Sequence, residues 1–192
     1  MKLSFYSIIV GLAVAAPALA QPTDTWRMPY ERGFWGHAGI SFGQSKLDAN
    51  CPPGVGCDDK DQAWKLYAGG RFNNAIGLEV GVLNIGKFSA GGGEADGWGA
   101  DAAILAGIPI GANSSIFAKL GAIYARTEVS SNLLGVSTGK ERGFGARWGV
   151  GGQLGLTKEW ALRADFDRYR LPFPGSHEDL ETLTFGVQYT FR

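Results

Sequence analysis

The sequence predicts an all-β protein, an eight-stranded antiparallel up-and-down transmembrane β-barrel, and three observations carry that prediction. The first is the closing stretch from Thr182 to Phe191, where Leu183, Phe185, Val187, Tyr189 and Phe191 alternate with Thr182, Thr184, Gly186, Gln188 and Thr190. A period of two is an extended strand with two unlike faces, and about ten residues is the length a tilted strand needs to cross a bilayer. The second is that seven earlier stretches alternate in the same way, joined by connections that run long, short, long, short, long, short, long. The third is that the charges within these stretches fall on one face, opposite an aliphatic and aromatic face.

Composition narrows the class. A chain of 192 residues favours one domain. Its 30 glycines are far above ordinary usage, but with only 8 prolines the chain reads as neither collagenous nor disordered. Eighteen basic and 18 acidic residues cancel, which gives no electrostatic argument for nucleic acid as a partner. After residue 20 no apolar run is long enough for a spanning helix, so any membrane crossing is made by strands. Residues 1–20 read as an export signal: Lys2, an apolar stretch from Ile8 to Ala16, and Ala18-Leu19-Ala20 as a small-x-small cleavage site. Export leads to an oxidising compartment, where Cys51 and Cys57, flanking Pro52-Pro53-Gly54-Val55-Gly56, are expected to close a small disulfide loop. Such a short closure contributes about 2 kcal/mol if unstrained. Neither cysteine has a second Cys or a His at ligand spacing, so no metal site is expected.

In chain order, residues 21–32 show no period and read as a periplasmic lead-in to a barrel over 33–192. The first strand sets Phe34, Gly36, Ala38, Ile40 and Phe42 against Trp35, His37, Gly39, Ser41 and Gly43, and rises into a long loop from Leu47 to Asp61. The second sets Trp64, Leu66, Ala68 and Phe72 against Lys65, Tyr67, Gly69 and Arg71, and Asn73-Asn74 turns it back. Ile76, Leu78, Val80 and Val82 oppose Gly77, Glu79 and Gly81 in the third, before a glycine-rich loop around Gly91 to Gly93. The fourth runs from Trp98, with Asp101 inward, and a turn around Gly111 to Asn113 leads to the fifth, with Lys119 inward. A loop from Ser130 to Arg142 precedes the sixth, in which Phe144, Ala146, Trp148, Val150 and Leu154 oppose Arg147 and four glycines. After a turn at Thr157-Lys158, the seventh sets Trp160, Leu162, Ala164 and Phe166 against Arg163, Asp165 and Asp167, and a loop from Pro172 to Asp179 reaches the closing strand.

Periodicity alone leaves open which face is inside, since a soluble ligand-carrying barrel would put the apolar face inward. Aromatics near the ends of the apolar face match interfacial girdles, and a glycine-rich charged face suits a narrow bore. Lys65, Arg71, Lys119, Arg147 and Arg163 nearly balance Glu79, Asp101, Asp165 and Asp167, as pairing in a closed lumen requires. Eight strands leave an interior just wide enough for side chains. The turn lengths put Arg147 opposite Asp167 or close to it, and Arg71 opposite or diagonal to Glu79. The lipid face breaks its apolar rule at Asn84, Arg126 and Arg168, all late on rising strands. The two arginines then either snorkel among headgroups or bind lipopolysaccharide phosphates.

The run AWKLYAGGRFNNAIGLEVGVLNIGKF, preceded by GHAGISFGQSKLD and a cysteine loop ending in CDDKD, resembles the OmpA-type eight-stranded outer-membrane β-barrel family over about residues 33 to 192, most specifically at Gly77 to Gly81. The resemblance implies the outer membrane of a Gram-negative bacterium, with outer-membrane lipid and lipopolysaccharide as surroundings. Thr184, Gly186, Tyr189 and Phe191 are similar to the C-terminal signal read by the barrel assembly machinery, although the chain ends on Arg192 where the family usually ends on the aromatic. No peptidoglycan-binding domain follows the barrel, so a tethering role does not carry over.

The chain's two histidines, His37 and His177, offer no convergent catalytic set, and Ser176-His177-Glu178 in a row cannot meet at one point. Asp48, Asp58, Asp59 and Asp61 lack the spacing of a calcium loop, and no Gly-rich phosphate loop is present. No cofactor is expected. The sequence therefore reads as a structural barrel, not an enzyme, whose external loops meet host or surface ligands. A lipid A-modifying barrel enzyme and a soluble periplasmic carrier are the alternatives. Lipid A spectra from cells with and without the protein separate the first, and membrane fractionation separates the second. Because the closing strand must pair with the first, deletion from Tyr189 onward is expected to abolish the heat-modifiable form in outer-membrane fractions; a truncated chain that still folds there would refute this.

Overall fold

A computed structural model of the chain describes residues 35–47, 57–58, 60–73, 75–90, 93–111, 113–131, 139–173 and 176–191. The expected export signal, the lead-in, Cys51 with its expected bridge to Cys57, and Arg192 lie outside them. Strands form β1 (Trp35–Leu47), β2 (Cys57–Asp58), β3 (Lys60–Arg71), β4 (Ile76–Ala90), β5 (Gly93–Pro109), β6 (Ser114–Ser131), β7 (Gly139–Gly155), β8 (Trp160–Phe173) and β9 (Ser176–Phe191). Eight of them make an antiparallel up-and-down barrel, and β2 is a two-residue addition pairing Cys57 with Ala90 on β4. Closure is made by β9 on β1, from Gly36 opposite Phe191 to Leu47 opposite Leu180. No long strand is left as an open edge, which is what a strand in hydrocarbon requires.

The short turns close as their residues dictate. Asn73 Oδ1 accepts the backbone N–H groups of Ala75 and Ile76 at 2.8 and 2.7 Å, and Thr157 Oγ1 accepts those of Glu159 and Trp160 at 3.2 and 3.0 Å. Such side-chain acceptors replace the ladder where it reverses. These turns share an end of the barrel with Gly36 and Phe191, so the other end is external.

The outward face of each strand is apolar and exposed or half-buried over most of its length, from Trp160 to Phe166 on β8 and from Phe144 to Leu156 on β7, runs that bracket the roughly 25 Å height of a membrane barrel's apolar band. Phe42, Trp64, Trp98, Tyr124 and Phe144 mark the external limit of this band, and Phe72, Ile110, Leu156, Trp160 and Phe191 the periplasmic one. Beyond the external aromatics the strands continue, and the two faces exchange chemistry. Outward positions become Gln44, Lys46, Lys60, Gln62, Arg126, Arg142, Arg168 and Arg170. The inward ones become a buried cluster of Leu47, Leu83, Ile85, Phe88, Ile123, Ala125, Tyr169, Leu171 and Leu180. The lower barrel is arranged for lipid outside, whereas the upper barrel is arranged for water outside, with an ordinary apolar core.

Read from the sequence alone, the four external connections are long; here strand extends into each of them, while residues 48–56, 59, 91–92, 132–138 and 174–175 lie outside the described residues. β5 starts at Gly93 and not Trp98, β6 and β7 reach Ser131 and Gly139, β8 and β9 reach Phe173 and Ser176, and β2 interrupts the cysteine loop. The ladder persists because each added residue pairs its backbone groups with a neighbouring strand.

One irregularity makes that core possible. The β4 to β5 register shifts between Asn84 and Gly86. Before the shift odd-numbered residues point inward, and after it Phe88 points inward while Lys87 points to solvent. The extra residue is Ile85, itself buried. Asn84 Oδ1 accepts the Gly86 N–H at 2.9 Å, and Asp61 Oδ2 accepts the Lys87 N–H at 2.5 Å. Gly86 has φ +93, and a Cβ there would stand 2.9 Å from Asp61 Cβ. Gly86→Ala is therefore expected to destabilise the barrel by about 2 kcal/mol, seen as a lower midpoint of the folded-to-unfolded shift on heating in detergent; an unchanged midpoint would show that the bulge tolerates a side chain.

Candidate functional site

Eight inward charges of the lower barrel meet in one connected network. Lys65 lies 3.6 Å from Glu79, Glu79 2.5 Å from Arg163, and Arg163 2.8 Å from Asp165. Asp165 lies 2.7 Å from Lys119, Lys119 2.8 Å from Asp167, and Asp167 3.2 Å from Arg147. Arg147 then reaches Asp101 at 2.7 Å, and Asp101 returns to Lys65 at 2.8 Å. Four cations and four carboxylates thus alternate around a closed ring, with Arg147 to Glu79 at 3.3 Å as a cross-brace. The members come from β3, β4, β5, β6, β7 and β8, and Arg147 and Glu79 side chains have no exposed surface.

Buried charges are tolerable only when paired and hydrogen-bonded, and the ring meets that condition by connectivity. Tyr169 donates its hydroxyl to Asp101 at 3.2 Å, and Arg163 donates to Gln188 at 3.0 Å. The Arg163 guanidinium stacks 4.2 Å from the Tyr67 ring centre and 4.7 Å from that of Phe117, contacts that add to the ion pairs. Space comes from glycine. Each ring carboxylate sits directly across the ladder from one: Glu79 opposite Gly69, Asp101 opposite Gly81, Asp165 opposite Gly151 and Asp167 opposite Gly149. A Cβ at Gly81 would stand 2.8 Å from both Asp101 Oδ1 and Lys65 Cε. Four of the chain's 30 glycines thus stand across from the ring carboxylates.

Register places the remaining residues singled out from the sequence. Arg147 faces Tyr169, two residues from the position opposite Asp167, and reaches that carboxylate diagonally. Arg71 faces Gly77, diagonal to Glu79, with its guanidinium 5.8 Å from the Phe117 ring centre on the periplasmic side of the ring. His37 is buried 3.9 Å from Glu79, whereas His177 is exposed at the external end of β9, so the two are not brought together. Tyr67, Phe117 and Tyr169, which frame the ring, are not among the residues expected as a site. Only their odd-numbered places on charged faces signal them.

At the external rim the arginines differ. Arg168 is held by Asp179 at 2.8 Å and Glu181 at 3.2 Å. Arg126 lies directly across from Arg142 on β7 and across from Trp98 on β5. Below this pair of like charges is the aromatic pair Tyr124 and Phe144, 5.1 Å apart, and above it Lys140 and Glu128 pair at 2.9 Å. At the seam, Gly186 faces Ser41, Phe191 packs over Gly36, and Tyr189 meets Trp160 edge-on at 5.1 Å. Among the described residues no group of three or more His, Cys, Asp or Glu side chains is placed to hold a metal ion.

The fold and the chain agree with known proteins. Residues 7–191 match the family described as outer membrane protein beta-barrel domain. The chain belongs to that family. Ail, the attachment invasion locus protein of Yersinia pestis, is 18% identical with a TM-score of 0.59, covering 84% of this chain and all of that one. Neisserial surface protein A is 15% identical with a TM-score of 0.61, covering 81% and 96%. The N-terminal barrel domain of Pseudomonas aeruginosa OprF is 13% identical with a TM-score of 0.56, covering 81% and 97%. A second Ail structure, 17% identical with a TM-score of 0.51 and covering 81% and 99%, holds the heparin analogue sucrose octasulfate. No curated protein matches the sequence. Family membership places this barrel in the Gram-negative outer membrane, with the polar lumen inside and the aromatic bands at the two interfaces. Arg147→Ala leaves Glu79, Asp101 and Asp167 with an unpaired share of charge, and a loss of about 3–5 kcal/mol is expected; thermal unfolding of the detergent-solubilised barrel is the check, and an unmoved transition would show that the ring does not stabilise the fold.

Proposed function

We propose that this protein is a structural outer-membrane barrel with a side-chain-filled lumen, whose external surface holds anionic ligands, lipopolysaccharide phosphates first among them. The closed ring of eight alternating charges is the observation that carries the structural half: it ties six strands together across the bore. Export with cleavage after Ala20, a Cys51 to Cys57 bridge, and recognition of Gly186, Tyr189 and Phe191 by the barrel assembly machinery complete that reading.

The surface half is supported by the rim. Like charges directly opposite on a ladder are unfavourable, and Arg126 and Arg142 face each other one step outside the aromatic band, at headgroup height. A phosphate bridging the two guanidiniums converts that repulsion into charge-assisted hydrogen bonds. Arg168, already occupied by Asp179 and Glu181, is the weaker candidate of the two arginines first singled out. That Ail has been crystallised with a sulfated sugar is consistent with anion capture on barrels of this shape, and host or surface ligands would meet the same external face. The test is lipopolysaccharide retained on the purified barrel: Arg126→Ala with Arg142→Ala should lower it several-fold without altering heat-modifiability, and Arg168→Ala should lower it less. Equal retention by the double variant and the wild type would refute the assignment.

A further inference from the structure

The ring has unequal surroundings on its two sides. Besides Asp101 Oδ1 and two nitrogens of Arg147 in the ring itself, four buried polar atoms among the described residues, His37 Nε2, Ser41 Oγ, Tyr67 OH and Ser115 Oγ, have no hydrogen-bond partner within the protein. Ser41 faces Lys65, Tyr67 and His37 lie successively nearer the periplasmic end, and Ser115 lies at the foot of β6. All four are therefore level with the ring or on its periplasmic side. Buried polar groups of this kind are hydrated by internal water. On the external side the lumen is lined by the apolar cluster, with Ile123, Leu171 and Leu180 fully buried and Ile85 nearly so, and the buried hydroxyls there, of Ser45, Thr127 and Thr182, are each turned to a backbone carbonyl.

We propose that the apolar cluster is a second closure of the lumen, in series with the ionic ring and independent of it. Water enters from the periplasm as far as the ring, and the dry segment above it keeps the barrel closed to ions even when the ring is broken. An apolar constriction excludes ions because they cannot shed their hydration there and because a narrow apolar bore dewets. The bulge at Ile85 is the device that completes this segment, since it turns Phe88 inward beside Leu83. The inference rests on the filled-lumen reading above and adds to it a barrier that charge pairing does not supply.

Conductance in planar phosphatidylcholine bilayers in potassium chloride tests it, with each purified variant first shown to be folded by heat-modifiability. The ring variant Glu79→Gln with Lys65→Met removes one charge of each sign and preserves neutrality. The cluster variant Ile85→Ser with Ile123→Ser makes the dry segment polar. Wild type and each variant alone are expected to be silent, while the combination gives sustained conductance steps. Steady conduction by the ring variant alone, or a folded combination that stays silent, overturns the second closure. Steady conduction by wild type overturns the filled-lumen reading itself. If the paired serines prevent folding, Ile123→Thr, which keeps the branched shape and adds one hydroxyl, takes their place in the combination with the same outcomes.

Discussion

The constraint on which the rest of this molecule depends is electroneutrality in a space with no room for bulk water. An eight-stranded barrel has a bore about as wide as its own side chains, so every inward charge must find its opposite within the wall. Here that requirement is met by a ring in which each cation touches at least two carboxylates and each carboxylate at least two cations, with Arg147 and Glu79 touching three each. Removing one member leaves two neighbours half-satisfied, so the ring acts as a unit and not as eight separate contacts. It also fixes register. A slip of one residue in any of the contributing strands would turn a ring member into lipid, which costs far more than a broken surface pair.

Glycine follows from the same constraint. A buried carboxylate needs room for its two oxygens and their partners, and here the wall supplies it where the facing residue lacks a side chain. Gly81, Gly149 and Gly151 stand opposite Asp101, Asp167 and Asp165, and a Cβ at any of them would crowd the carboxylate; at Gly69, opposite Glu79, it would meet the Leu78 carbonyl and the His37 ring instead. The same wall is then free to coil tightly, so the glycine content and the narrow bore are one adaptation.

Much of this was legible in the sequence, and the reasons for the rest are specific. Alternation in each strand was legible because lipid and lumen impose opposite chemistries on neighbouring residues, and the charges at Lys65, Glu79, Asp101, Lys119, Arg147, Arg163, Asp165 and Asp167 declared the inner face. Who touches whom was not legible. Glu79 and Arg163 are on opposite walls, and their contact depends on the stagger accumulated around the whole barrel. The upper core was hidden for a different reason. Above Asn84, Tyr124 and Phe166 the period of two continues but the apolar residues change face, so the same alternation looks like a failing membrane strand. Asn84, Arg126 and Arg168 stood out as exceptions to a lipid rule, while each marks the height at which water replaces lipid. The bulge removed the last cue on β4, since it shifts the phase by one residue between Asn84 and Lys87.

The two chemistries of the wall also order its assembly. While the strands cross the bilayer, a ring member has no stable position until its partners on other strands are present, because an unpaired charge facing hydrocarbon or a dry bore is expensive. Pairing of β9 with β1 encloses the bore, and it is this closure that completes the environment for Arg163, whose neighbour Gln188 is on β9. The upper cluster depends on the same event, since Leu47 and Leu180 become partners only across that seam. The closing strand therefore does more than cover an edge: it brings Gln188 to the Arg163 guanidinium and Leu180 to Leu47.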